Sequence, residues 1–191
     1  MEVPPVALVP SQYAALKAHI LANTNTIDWN AAQVAINTLP LGLDSSHEIA
    51  KWYNLPTSPP FWVWRTALTQ AEITQKTSRT GTTFTFAGNG LITRSVQELM
   101  VWQILFAGSG YGMGTCNPSL VNTRQAFADI FSGAGNAAAN RAHLDIVARR
   151  PATNIERIYA TGTGGDTTGT AAMLVYEGTV DMNDVHNART S

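Results

Sequence analysis

The chain has 191 residues, 45% of them hydrophobic and 13% charged, and its 12 Lys+Arg against 13 Asp+Glu leave a formal charge of -1. A folded chain of this length buries roughly 70% of its unfolded surface, which argues for one domain, or a domain with an arm, and against disorder; a charge this near zero gives no field to gather DNA, RNA or anionic lipid. The lone Cys116 excludes an intramolecular disulfide, and the most apolar run, 99–108, is about half the ~20 residues of a bilayer span.

The opening MEVPPVALVP lacks the basic and long apolar regions of a secretory signal, so a reducing cytoplasm is the expected site of synthesis. Thr, Ala, Asn and Gln take the place of the missing charge, against a usual charged fraction of about 25%. A neutral polar surface of that kind favours association, and an oligomer is expected; a monomer with the same surface is the alternative.

Pro4, Pro5 and Pro10 predict an extended arm over residues 1–10. A helix then opens with Ser11 as its cap, carries Tyr13, Leu16, Ile20 and Leu21 near helical spacing, and ends at Asn23. A second short helix is predicted from Asp28, with Ala32, Ile36 and Leu39 on one side and Pro40 closing it. A third begins at Ser45, where Ser45-x-x-Glu48 makes a capping box, and runs through Ile49, Trp52 and Tyr53 until Pro56.

Pro59 and Pro60 force the next stretch to be extended. Phe61, Trp62, Val63 and Trp64 then place bulky apolar groups on both faces, which implies burial on both sides or a seat between subunits. Thr69-x-x-Glu72 caps a helix over 69–76. In 77–92, Thr83, Phe84, Thr85 and Phe86 alternate ahead of Gly88, Asn89 and Gly90, which reads as a hairpin or projecting loop.

A central core helix is predicted from Thr93 to about Ala107, with Val96, Leu99, Met100, Gln103 and Ile104 on one face and Trp102, Leu105 and Phe106 widening it. Helices follow over 119–131, broken at Gly133, and over 136–149, ending before Pro151; Thr153-x-x-Glu156 caps another. Residues 161–170 read as a flexible Gly/Thr-rich segment, 172–176 as a strand and 181–189 as a terminal helical turn. The sum is an α+β, mainly α fold: an arm (1–10), a helical body (11–160) with its projecting loop, and a C-terminal extension (161–191).

Sites of chemistry are sparse. Alternate glycines at Gly108, Gly110, Gly112 and Gly114 lack the Lys-Ser/Thr of a phosphate loop. Gly133, Gly135 and Ala138 fit G-x-G-x-x-A with Glu156 about 20 residues on, yet Ala126, Phe127, Ile130 and Phe131 before them have helical spacing, so a glycine break between helices is the better reading. Gly162, Gly164 and Gly165 are explained by turn chemistry. The four histidines, His19, His47, His143 and His186, have no metal-ligand spacing; no metal or cofactor is expected. Ser109, Ser119 and Cys116 stand in no nucleophile motif, and the scattered carboxylates give no acid/base pair. Arg141, Arg149, Arg150 and Arg157 form the one local basic cluster, read as ion pairs or subunit contacts.

Several segments carry a resemblance. They are Phe61-Trp62-Val63-Trp64-Arg65 followed by Ala71-Glu72-Ile73, Asn117-Pro118-x-x-Val121-x-x-Arg124, Arg150-Pro151-Ala152-Thr153, Ala160-Thr161-Gly162-Thr163-Gly164, Tyr176-Glu177-Gly178 and the helix SQYAALKAH at 11–19. In these the chain resembles an uncharacterised family of tailed-bacteriophage virion structural proteins over residues 10–189. It departs from that family at the neutral stretch 78–95, where a charged, Trp-containing region is expected.

The resemblance implies a non-enzymatic virion component assembled in the host bacterial cytoplasm. Within that class a head-to-tail adaptor is favoured, a homo-oligomeric ring beneath the portal protein that docks the tail or next neck protein, with passive DNA contact in a channel and no membrane. In this reading Trp62 and Trp64 are buried anchors, Phe84 and Phe86 lie on a docking loop, and Arg149 and Arg150 approach a subunit or channel surface. Deleting 1–10 or 161–191 is then expected to weaken assembly more than the fold. The alternatives are another virion component (tail, baseplate or capsid-associated) and a small nucleotide-binding enzyme using the Gly133 region.

Overall fold

A computed structural model describes residues 8–107 and 114–191; most of the expected arm and the glycines 108–112 lie outside them. The described chain is about 45% helical, with eight helices and only small two-stranded sheets. It is an α+β, mainly α fold, as the sequence predicts.

In chain order the elements are α1 (Pro10–Ala22), β1 (Thr26–Trp29), β2 (Ala32–Ala35), a 3-10 turn (Ile36–Thr38), α2 (Leu43–Tyr53), β3 (Trp62–Trp64), β4 (Leu68–Thr69) and α3 (Gln70–Gln75). They continue with α4 (Val96–Leu105), β5 (Thr115–Cys116), α5 (Val121–Ile130), α6 (Asn136–Val147), β6 (Arg149–Pro151), α7 (Asn154–Tyr159) and α8 (Met182–Thr190). The sheets pair β1 with β2, β3 with β6 and β4 with β5. The predicted single body is two compact units, each assembled from separated stretches of chain.

The first unit comprises the chain up to Phe61, Pro151–Gly165 and Ala172–Ser191. Its core holds Leu16, Ile20, Ile36, Ile49, Tyr53, Ile155, Val185 and Ala188. The last residues of the expected arm belong to this body: Leu8 is buried in the core, and Pro10, not Ser11, starts α1 from the first-turn position that its fixed φ suits. Val9 is the cap residue, its N–H bonded to Gln12 Oε1 at 2.8 Å.

The helix predicted from Asp28 is instead the β1–β2 hairpin, with Thr26 opposite Ala35 and Trp29 opposite Ala32. Asn30 and Ala31 turn it with φ of 50° and 63°, the two left-handed residues of a type I′ turn. The Ala32, Ile36, Leu39 spacing imitates a helix, but Ile36 and Leu39 reach the core through the 3-10 turn while Ala32 is exposed. α2 likewise begins two residues before its predicted cap: Ser45 and Ser46 are buried inside it, each donating its hydroxyl to the Gly42 carbonyl, at 3.0 and 2.7 Å.

Residues 161–191 are no extension. α8 packs against α1 and α2, Asp181 caps it, and the Asn54 side chain clamps Val180 by donating to its carbonyl (2.8 Å) and accepting from its N–H (3.0 Å). The predicted 172–176 strand is a single bridge from Met173 to Thr161, with Ala172 and Tyr176 buried. Gly164 lies against the Phe61 ring at φ 69°, so the glycine run is anchored at a place where a Cβ would collide.

The second unit comprises Trp62–Arg150 and Asp166–Ala171. Thr69 and Glu72 form the predicted capping box of α3. α4 starts at Val96 rather than Thr93, because Ser95 and Glu98 form the box there. The core is aromatic: Trp102 stacks on Phe84 (centroids 5.7 Å apart, 25° between planes) and meets Phe106 at 4.8 Å and Phe131 at 5.6 Å.

No hairpin forms over 77–92. Ser78 accepts N–H bonds from Thr80 and Thr82 with its hydroxyl, and the buried Asn140 amide accepts from Thr85 N–H and donates to Thr85 C=O, both at 2.8 Å. One side-chain amide of α6 thus supplies the pair of bonds that a partner strand would make.

Candidate interface

Three of the six residues expected at an interface are committed to the second unit's interior. Trp64 is buried beneath two guanidinium groups, Arg124 at 4.4 Å and Arg149 at 5.9 Å from its ring centroid. Phe84 belongs to the aromatic cluster. Arg149 is buried, its Nε donating to the Asp145 carbonyl at 2.7 Å and its Nη1 to Asp166 at 3.2 Å, so it does not face a channel. Those bonds satisfy its charge inside the fold, and burial lowers its pKa.

The other three differ. Trp62 is half-buried with Arg79 stacked 3.9 Å over its ring, a pair that Asp166 steadies by also pairing with Arg79. Arg150 is half-buried and has partners. Phe86 is 44% exposed and rests edge-on against Phe84, 5.3 Å away.

The candidates for chemistry also have structural employment. Gly133 (φ 101°) and Gly135 (φ 63°) join α5 to α6, so a helix, not the strand of a dinucleotide-binding unit, precedes them. Glu156 accepts from Thr153 N–H at 2.9 Å in the cap of α7. Cys116 is buried against the Leu68 carbonyl, and burial pushes its thiol up to about 12. Ser119 donates to Asn117 Oδ1; Ser109 lies outside the described residues. Among the described residues no group of three or more His, Cys, Asp or Glu could hold a metal, and no helix is long and apolar enough to cross a membrane.

The largest departure from the sequence expectation is on α4. The face predicted to be core is exposed: Val96 at 74%, Met100 at 55% and Ile104 at 67%. The helix carries apolar residues on two sides, and it buries the heavier one, Trp102 with the adjoining Phe106, against Phe127 and Phe131. Val96, Met100 and Ile104 repeat every fourth residue and form one stripe; Ile92, before the helix, and Val101, on its adjoining face, are exposed as well. Glu98 is the one charged residue of α4. Between α4 and α5 runs a groove of about 370 Å³ lined by Gln97, Val101, Gln125, Ala126 and Ile130.

The first unit bears a second apolar patch. Leu21 (64% exposed) and Leu41 (62%) flank a cavity of about 200 Å³, and Leu43 is exposed beside them in sequence. Sequence periodicity missed both patches. A helix apolar on all sides is read as buried, and only the packing decides which side stays out.

No protein-family model, no curated protein and no solved structure matches the chain.

Proposed function

We propose that the chain is a structural, self-associating protein whose subunits meet through the α4 stripe, and that it serves as a head-to-tail adaptor of a tailed bacteriophage. The observation that carries the self-association is the Val96, Met100, Ile104 stripe. Five exposed apolar side chains on and just before one helix make an apolar surface on the order of 400 Å², within the ~300–600 Å² of the largest patch on a monomer, which is often functional. The occupant is a second copy. A chain with 13% charged residues and a net charge of -1 raises little repulsion against itself.

A ring requires a heterologous contact, in which two different surfaces meet and the rotation closes. The α4 stripe on one unit and the Leu21, Leu41 patch on the other supply two unlike apolar surfaces. The phage assignment rests on the segments quoted above, among them the Phe61–Arg65 run and the Asn117-Pro118-x-x-Val121-x-x-Arg124 motif. A non-enzymatic role suits candidate nucleophiles and acids already engaged in caps and core.

Negative-stain imaging of the purified protein, alone and mixed with a portal protein from a phage that encodes it, tests the adaptor reading. A ring that forms alone or on the portal is expected. A particle that neither assembles nor binds the portal contradicts it, and assembly on a tail or baseplate component would transfer the chain to that part of the virion.

A further inference from the structure

On the second unit, Arg124 and Gln125 of α5, Arg141 and Asp145 of α6, and Thr168 line a cavity of about 260 Å³. We propose that this cavity binds a protonated phosphate group, either hydrogen phosphate or the terminal group of a phosphomonoester, with the two arginines holding its oxygens and Asp145 accepting its P–O–H proton.

The two guanidinium groups are fixed in place before any ligand arrives. Arg124 donates through Nη1 to the carbonyls of Pro118 and Ser119, both at 2.7 Å, and sits over the Trp64 ring. Arg141 donates through Nη1 to the carbonyls of Phe131 and Gly133. Neither forms an ion pair among the described residues, although six such pairs occur elsewhere among them. Each side chain therefore keeps donors on Nε and Nη2 without a protein acceptor. Planar guanidinium groups arranged in this way suit an anion with several oxygens, which can take two parallel N–H bonds from each.

Asp145 gives the site its selectivity. Its carboxylate is half-buried in the cavity that Thr168 also lines, and burial raises its pKa against the opposing pull of Thr168, Arg149, Arg141 and Arg124. A bare carboxylate in an anion site repels a ligand that has only lone pairs, but it accepts a hydrogen bond from one that retains a proton. Inorganic phosphate retains a P–O–H proton throughout the neutral range, and a phosphomonoester, whose second pKa is about 6, retains it at and below that pH; sulfate and a phosphodiester have none. The cavity exceeds several times the ~30 Å³ share of a water, enough for one such group. This chemistry excludes the internal phosphates of DNA and is independent of the assembly role.

Isothermal titration of the full chain at about pH 5.5, where methyl phosphate still carries its second proton, and at constant ionic strength tests it, with inorganic phosphate, methyl phosphate, sulfate and dimethyl phosphate as probes. Phosphate should bind at least about tenfold more tightly than sulfate or dimethyl phosphate. Binding of methyl phosphate as tight as that of phosphate makes the ligand a phosphomonoester; its exclusion makes the ligand free phosphate. Arg141→Gln should weaken phosphate binding by about tenfold, equivalent to about 1.4 kcal/mol. Asp145→Asn, whose amide can donate to any oxyanion, should bring sulfate to within about twofold of phosphate while the circular dichroism is unchanged. Equal binding of sulfate and phosphate by the wild type, no phosphate binding at tens of millimolar, or an unaltered preference in Asp145→Asn would each overturn the proposal.

Discussion

Ala31 occupies the left-handed region at φ 63°, where an L-residue with a Cβ is destabilised by roughly 1–2 kcal/mol. Ala31→Gly should therefore stabilise the protein, by about 0.5–1 kcal/mol after glycine's own entropic cost, read as a shift of the urea midpoint; a loss of stability would contradict the turn. At Glu72, burial opposes ionisation, but the Thr69 N–H and the Arg65 guanidinium at 2.6 Å outweigh it and hold the carboxyl at about 2. The unfolded carboxyl titrates near about 4.3, so the folded form gains stability above that pH and loses it as the pH falls towards 2. Glu72→Gln should cost about 1 kcal/mol at pH 7, given the partly exposed setting, and flatten the fall in stability between about pH 5 and pH 2; a parallel fall in wild type and variant would remove Glu72 as its source. The boxes at Thr69 and Thr153 were legible in the sequence because both partners lie three residues apart. Asn140 was not, because the backbone that it clamps is 55 residues away. Its removal in Asn140→Ala should cost about 1–3 kcal/mol, the penalty for stranding the two groups of Thr85.

At the level of elements, periodicity located most of the helices and misjudged segments whose structure is decided by distant packing. Residues 32–39 satisfy a helical spacing, yet the turn at Asn30 and Ala31 and the β-prone Thr26, Ile27 and Val34 make a hairpin. Thr83 to Phe86 alternate like a strand, yet the partner is a side chain, so no ladder forms. The C-terminal segment is the clearest case. Its polar and glycine-rich composition reads as flexible, while Tyr176, Val180, Val185 and Ala188 are all core. Ending the chain at residue 160 should abolish cooperative unfolding of the first unit rather than yield a folded protein impaired in assembly, which reverses the expectation from sequence; a soluble truncated chain with native circular dichroism would contradict this. The milder Val185→Ala, at a fully buried position, should cost about 2 kcal/mol.

For the whole molecule, composition led to the expectation of an oligomer, and the fold shows which apolar side chains are exposed. Trp64, Phe84 and Arg149 were chosen from the sequence for their residue type, since aromatics and arginine dominate interfaces, but the same types build this core. Apart from Phe86, the large apolar side chains left outside among the described residues are aliphatic or methionine, among them Val96, Met100 and Ile104 on one unit and Leu21 and Leu41 on the other. The most direct test is the molar mass of the purified protein by light scattering, compared with a Met100→Glu, Ile104→Glu double variant. Both positions are exposed, so the variant should keep its circular dichroism and its melting temperature. A multimeric wild type that the two charges reduce to the 20.5 kDa chain is the predicted result. A wild type of monomer mass at high concentration, or a variant that remains multimeric, would contradict the assignment of the α4 stripe as the contact between subunits.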